Sequence, residues 1–207
     1  VTVQATGTVK VVPDGVSFNF AVSVLAQSSE TAMSDASATA EKVRAALDAA
    51  GVAKDDIATQ NVSVYPEYAS STTGTQTLTG YRAQQIFTVT LRDTAKAGEV
   101  VDAVIAAGGN SLQVYGVTPT LLDTDAAVAQ AREAAIKSAK SKAKDYASLV
   151  DAGLGSVVYI SEVASPSSPV PMLAGDSATA SAPMAKTEIN LGTQEVSVTV
   201  EVRWSLN

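Results

Sequence analysis

Residues 124–160 read TDAAVAQAREAAIKSAKSKAKDYASLVDAGLGSVVYI. Val128, Ala131, Ala135, Ala139, Ala143, Tyr146 and Val150 recur at steps of three and four, which draws one narrow apolar stripe along a helix of about seven turns. The stripe is mostly alanine, and small residues let a helix axis lie close to a sheet. Thr124 or Asp125 is placed to cap the first turn, and Glu133 precedes Lys137 at the i,i+4 spacing. The helix ends at Asp151-Ala152-Gly153-Leu154-Gly155, where Gly153 or Gly155 can take the left-handed conformation of a C-cap. The run Val157-Val158-Tyr159-Ile160 that follows is a strand, and the helix must pack against its sheet.

Strands also stand at both chain ends. Val1, Val3, Ala5, Val9 and Val11 alternate with Thr2, Gln4, Thr6, Thr8 and Lys10, the period of a strand with one dry face. Val196, Val198, Val200, Val202, Trp204 and Leu206 alternate in the same way with Ser197, Thr199, Glu201, Arg203 and Ser205. Two such long strands are expected to pair, bringing both ends into one unit. The first strand turns at Pro13-Asp14-Gly15 into a run with Val16, Phe18, Phe20, Val22 and Val24 on one face, and the two read as a hairpin.

Inside these ends, Ser28 or Ser29 caps a helix with apolar positions Ala32, Ala36, Ala40, Val43 and Leu47, stopped by Gly51. A strand begins near Val62, a polar loop follows at Ser70-Ser71-Thr72-Thr73-Gly74, and Tyr81 to Arg92 forms the next strand. Ala95 to Ala107 is a short helix closed by Gly108-Gly109-Asn110, and Leu112 to Leu121 returns as a strand. This βαββαβ order is the ferredoxin-like arrangement, with both helices on one face of an antiparallel sheet. The fold class is therefore α+β, two-layer antiparallel sheets with helices on one face. It divides into a ferredoxin-like unit at 13–122 and a discontinuous unit at 1–12 and 123–207, with a Pro/Ser/Ala-rich loop at 164–188.

Composition excludes much chemistry. Of the 207 residues 14 are basic and 21 acidic, a net charge of -7, so a phosphate backbone is repelled and nucleic acid is not an expected partner. The absence of cysteine and histidine removes disulfides, thiolates, imidazole bases and the usual zinc ligands. No apolar run is long enough to cross a bilayer; the longest, Val100 to Ala107, is interrupted by Asp102. Because the chain opens on Val1 without a methionine, a removed N-terminal segment is expected, for which a secretory signal is one candidate.

Single motifs add little. Ser141-Lys142-Ala143-Lys144 matches the Ser-x-x-Lys of penicillin-recognising enzymes, but the required companions are replaced by Ser34-Asp35-Ala36 and Lys186-Thr187-Glu188. Asp55-Asp56 and Asp123-Thr124-Asp125 lack the further oxygen ligands and glycine of a calcium loop, so they read as cap or loop residues. Lys137, Lys140 and Lys144 form a basic stripe at i, i+3, i+7, read as a solvated helix face, with docking on an anionic surface as the alternative. No catalytic residue, metal site or cofactor is expected. Tyr65, Tyr68 and Tyr81 flank the first polar loop and can line a ligand cleft.

Several landmarks in chain order resemble one family. They are Val12-Pro13-Asp14, Ala49-Ala50-Gly51 with Asp56-Ile57, Pro66-Glu67-Tyr68, Gly80-Tyr81-Arg82-Ala83 and Gly108-Gly109-Asn110. Later come Ala131-Arg132-Glu133-Ala134-Ala135, Lys142-Ala143-Lys144, Tyr146-Ala147, Leu154-Gly155 and Val196-Ser197-Val198-Thr199-Val200. Together they resemble the SIMPL-domain family of bacterial cell-envelope proteins across essentially the whole chain. The resemblance implies a non-enzymatic protein that is periplasmic, lipid-anchored or secreted, without a cofactor, in a family with immunogens, links to oxidative stress and large homo-oligomers. It also implies peripheral membrane or envelope association through a missing N-terminal anchor.

A homo-oligomer is expected from the residues too. The proline-rich loop carries Val170, Met172, Leu173 and Met184, adaptable apolar side chains on a restricted backbone, and the long strands leave a sheet edge open for pairing. A small-ligand module built on the tyrosine cleft is the alternative function.

Overall fold

The computed structural model describes residues 1–70, 76–163, 170–172 and 187–207, with backbone alone at 70 and 170–172. Eleven elements follow in order: β1 (Thr2–Val11), β2 (Gly15–Ala26), α1 (Ser29–Ala49), β3 (Ile57–Ser70), β4 (Gln76–Leu91), α2 (Ala97–Gly108), β5 (Leu112–Thr120), α3 (Asp125–Leu149), β6 (Leu154–Val163), β7 (Val170–Met172) and β8 (Thr193–Leu206). They make two antiparallel sheets with three helices, the α+β class.

The chain divides into two compact units. One holds residues 14–120 and, further along, Thr187–Asn190; the other holds both chain ends. In the first, β2-α1-β3-β4-α2-β5 gives a sheet in the order β3-β4-β2-β5, all antiparallel, which is the ferredoxin-like order. Its core lies under α1 and α2. Val16, Phe18, Phe20 and Val22 from β2 and Phe87 and Val89 from β4 are buried there with Ala36, Ala40, Val43 and Leu47 of α1. Phe20 stacks on Phe87 with centroids 5.3 Å apart. The buried Gln85 amide is satisfied by the Ser37 hydroxyl at 3.0 Å.

Ser28 caps α1 by accepting from the Thr31 amide at 3.1 Å, and Gly51, at φ 84°, stops the helix. Thr187 ties the returning chain to α2: its hydroxyl donates to Asp102 Oδ1 at 2.6 Å and its amide to Oδ2 at 3.2 Å. Residues 187–190 therefore group with the ferredoxin-like unit, where the sequence reading put them in the other.

In the discontinuous unit β8 lies between β1 and β6, with the short β7 following β6 on the same side of β8. All ten residues of β1 pair with β8, from Thr2↔Arg203 to Val11↔Gln194. The hairpin between the first two runs does not exist. β1 belongs to one sheet and β2, paired with β4 and β5, to the other, because the Pro13 turn fixes a change of direction but not a partner.

The stripe of α3 also differs from its expected form. Ala127, Ala131, Ala135, Ala139, Ala143 and Ala147 are buried in strict steps of four, while Tyr146 and Val150 are exposed. The capping is different too. Neither Thr124 nor Asp125 caps through its side chain; Asp123 Oδ1 accepts from the Asp125 amide at 3.0 Å. At the far end Asp151, not a glycine, takes positive φ (53°), and the Gly153 amide instead donates to the Asn207 carbonyl at 2.9 Å.

Candidate functional site

The position of α3 decides what its sheet leaves open. A side chain at Gly7 would place its Cβ 2.1 Å from the Ala131 carbonyl oxygen and 2.2 Å from the Ala135 nitrogen, so the helix backbone rests directly on β1. With a row of buried alanines beneath it and Val128 and Ile136 partly buried beside them, α3 is set down over β1 and β8, and its core is Val3, Ala5, Val198, Val200, Val202 and Trp204. A narrow stripe covers two strands. The third, β6, is reached at the helix flank, where the Arg132 guanidinium donates to Glu162 at 2.8 Å and holds its carboxyl below the usual glutamate range.

From Val157 to Ile160, β6 is consequently bare on both faces, while Leu154 at its start packs against the core. Val157 lies opposite Trp204 and Ile160 opposite Val202, which puts them on the helix side; Tyr159 opposite Arg203 and Val163 opposite Thr199 are on the other. Val158 sits at a break in register between them. The side chains of Val157, Val158, Tyr159 and Ile160 are 55%, 63%, 49% and 55% exposed. Among the described residues the outer edge of β6 pairs with no strand.

Beside this strand runs an open groove along α3, lined by Arg132, Ile136, Lys137 and Lys140 among others. Five of the 14 basic residues stand on this one helix: Arg132, Lys137, Lys140, Lys142 and Lys144. Lys142 is turned the other way, reaching the Gln4 carbonyl of β1 at 3.4 Å.

The residues singled out from sequence fall in several places. Tyr65 lies opposite Arg82, and Tyr81 opposite Pro66, so alternation puts Tyr65 on one face of the sheet and Tyr81, with Tyr68, on the other. The three tyrosines do not line one cleft. Val170 and Met172 belong to β7, their side chains outside the described residues, as are Leu173 and Met184. Ser141 and Lys144 are exposed on α3. Asp56 is gripped by two nitrogens of Arg92, at 2.8–3.1 Å, which lowers its pKa through the hydrogen bonds. Among the described residues no three acidic side chains gather as a metal site.

An unbroken apolar run in a sheet ordinarily signals cover on both faces, so the bareness of Val157 to Ile160 does not follow from the strand's own residues. The signal was the narrowness of the alanine stripe upstream.

Two α+β units, one of them closed by both chain ends, define the class of protein. The chain matches the SIMPL family, described as a protein of unknown function (DUF541), over residues 1–204, and it belongs to that family. It is similar to the 26 kDa periplasmic immunogenic proteins of Brucella melitensis and Brucella abortus, at 29% identity over 98% of this chain and 82% of each relative. It is also similar to the uncharacterized protein YggE of Escherichia coli K12, at 31% identity over 82% of this chain and 68% of that one.

Proposed function

We propose that the protein is a non-catalytic, self-associating component of the cell envelope, in which β6 pairs edge to edge with a second copy. One observation carries this reading: the run Val157-Val158-Tyr159-Ile160 is exposed on both faces of a strand whose outer edge is unpaired among the described residues. Full burial of a Val, Ile or aromatic side chain contributes about 1.5–3 kcal/mol, and cross-strand neighbours on a paired second copy recover a part of that for this run. Pairing with another strand also satisfies the edge amides and carbonyls, the usual fate of a long open edge. The relatives named as periplasmic support a place in the periplasm. The lack of histidine and cysteine supports a role without catalysis.

Light scattering on the intact protein tests this. The expected result is an assembly that Val158→Lys with Ile160→Lys converts to a monomer of unchanged circular dichroism. A monomeric parent, or an assembly indifferent to both lysines, contradicts it. A variant with residues 165–186 replaced by a short Gly-Ser linker separates edge from loop: an unaltered assembly leaves the role with β6, whereas its loss transfers the role to the segment holding Val170, Met172, Leu173 and Met184.

A further inference from the structure

The ferredoxin-like sheet carries both its helices on one side. Its other face, among the described residues, carries mainly amide, hydroxyl and aromatic side chains, with Leu25 and Ile86 among them and one ion pair, Arg82 with Glu67. Tyr115 is the extra residue where the β2–β5 register shifts, Asn19 pairing with Gly116 and Phe20 with Val114. Its hydroxyl accepts from Gln84 Nε2 at 2.7 Å. Gln84 is on β4 and Tyr115 on β5, two strand spacings apart with β2 between, so the tyrosine has to lie along the sheet rather than stand up from it. Ala21 and Ser23 of β2 are buried beneath this bridge, at 0% and 7% exposure, while Tyr115 itself is 53% exposed. A ring laid flat over a small residue and open above presents its face to a ligand.

Arg82 repeats the arrangement in the opposite direction. It is held from β3 by both oxygens of Glu67 and from β2 by the Ser23 hydroxyl at 3.2 Å, so it too is spread across the sheet. Tyr65 lies directly opposite Arg82 on this face and is 43% exposed. By strand register the charged side chains on the face are Arg82 and Glu67, and they neutralise each other.

We infer that Tyr115, Gln84, Arg82 and Tyr65 form a binding platform for a neutral oligosaccharide. The chemistry selects the ligand. Exposed tyrosine faces stack on the C–H faces of pyranose rings, and neighbouring amide and guanidinium groups, already fixed by hydrogen bonds, meet ring hydroxyls with little ordering cost. A closed ion pair on a chain of net charge -7 offers nothing to a phosphate or sulfate polymer. An apolar peptide helix needs an apolar groove, and the two apolar side chains of this mainly polar face, Leu25 and Ile86, do not supply one. The platform involves no residue of β6, so it stands or falls apart from self-association.

The test is an NMR titration of the full chain with two probes, a β-1,4-linked N-acetylglucosamine tetramer and maltotetraose. At least one is expected to shift the amides of Tyr65, Gln84 and Tyr115, with Tyr115→Ala weakening binding by about tenfold or more and Tyr65→Ala by less. Tyr115→Phe, which keeps the ring and loses the tie to Gln84, is expected to fall between parent and alanine, and Tyr81→Ala, on the opposite face, to leave affinity unchanged. Should Tyr115→Ala fail to fold, Tyr65→Ala and Tyr115→Phe read the same face. The proposal is overturned if neither sugar moves these amides at millimolar concentration, if the Tyr65 and Tyr115 variants bind as the parent does, or if a sulfated polysaccharide binds this face more tightly than the neutral probes.

Discussion

β1 and β6 are the two edges of one sheet and share β8 as neighbour, yet they are written in different codes. In β1 every second residue, Val3, Ala5 and Gly7, is buried under α3, and between them Thr2, Gln4, Thr6 and Thr8 are exposed. Those polar residues are matched across the strand: Thr6 meets Thr199 at 2.9 Å, Thr8 meets Ser197 at 2.8 Å and Gln4 donates to Glu201 at 3.0 Å. An edge so built is content in water. β6 has valine, tyrosine and isoleucine toward both faces from Val157 to Ile160, and meets the helix unit at Leu154 and through the Arg132–Glu162 pair. An edge strand is therefore judged by what lies over it, and the width of the helix stripe settles this before the strand itself is considered.

The largest expected effect comes from the contact that sets α3 down on β1. Gly7→Ala forces a Cβ into helix backbone, and overpacking of a tight site costs about 1–3 kcal/mol, here at the upper end. Denaturant unfolding should show the fall in midpoint; an unchanged midpoint would mean that the helix does not sit this close. Next is Ala135→Leu, at a fully buried position of the stripe. It should cost about 2 kcal/mol by lifting the helix, and should extend cover toward neither edge.

Thr6→Ala, breaking one matched pair on the wet face of β1, should cost about 0.5 kcal/mol in the same assay, within the usual range for a cross-strand pair. A loss as large as that of Gly7→Ala would show that the polar face of β1 is not simply solvated.

The smallest effect concerns pH. Glu162 is lowered by its hydrogen bonds to Arg132, so whatever stability the pair adds is full above the unfolded glutamate value near 4.3 and is lost as pH falls through the folded value. Melting temperature should be level between about pH 6 and 8, where a chain without histidine has no side chain of ordinary pKa to titrate. Glu162→Gln and parent should converge in acid. A transition near pH 6.5 would contradict this account.

Much of the fold was legible because its signals are periodic. The alternation of Val196 to Leu206 and of Val1 to Val11, and the order of elements between Val16 and Leu121, led to the pairing of the chain ends and to the ferredoxin-like sheet. Period does not name a partner, however, and so the first two runs read as a hairpin when each pairs elsewhere. Nor does it separate Tyr146 from Ala147 at the end of a long helix, where the stripe drifts and the small residue is the one that fits under the axis. Asp151 in place of a glycine at positive φ is a tolerance of short polar side chains that composition does not single out.

The tyrosines show a further limit. Tyr65, Tyr68 and Tyr81 are neighbours on paired strands but are divided between the two faces of the sheet, whereas Tyr115 acquires its place from a bulge that no pattern announces.

β6, not β1, is the edge that we propose a second copy covers. Amide hydrogen exchange measured for both strands at low and high protein concentration tests it most directly. The account predicts that exchange in Leu154–Val163 slows as concentration rises while exchange in Thr2–Val11 stays the same. Slowing confined to β1, or no change in β6 under conditions where the protein is assembled, would contradict it.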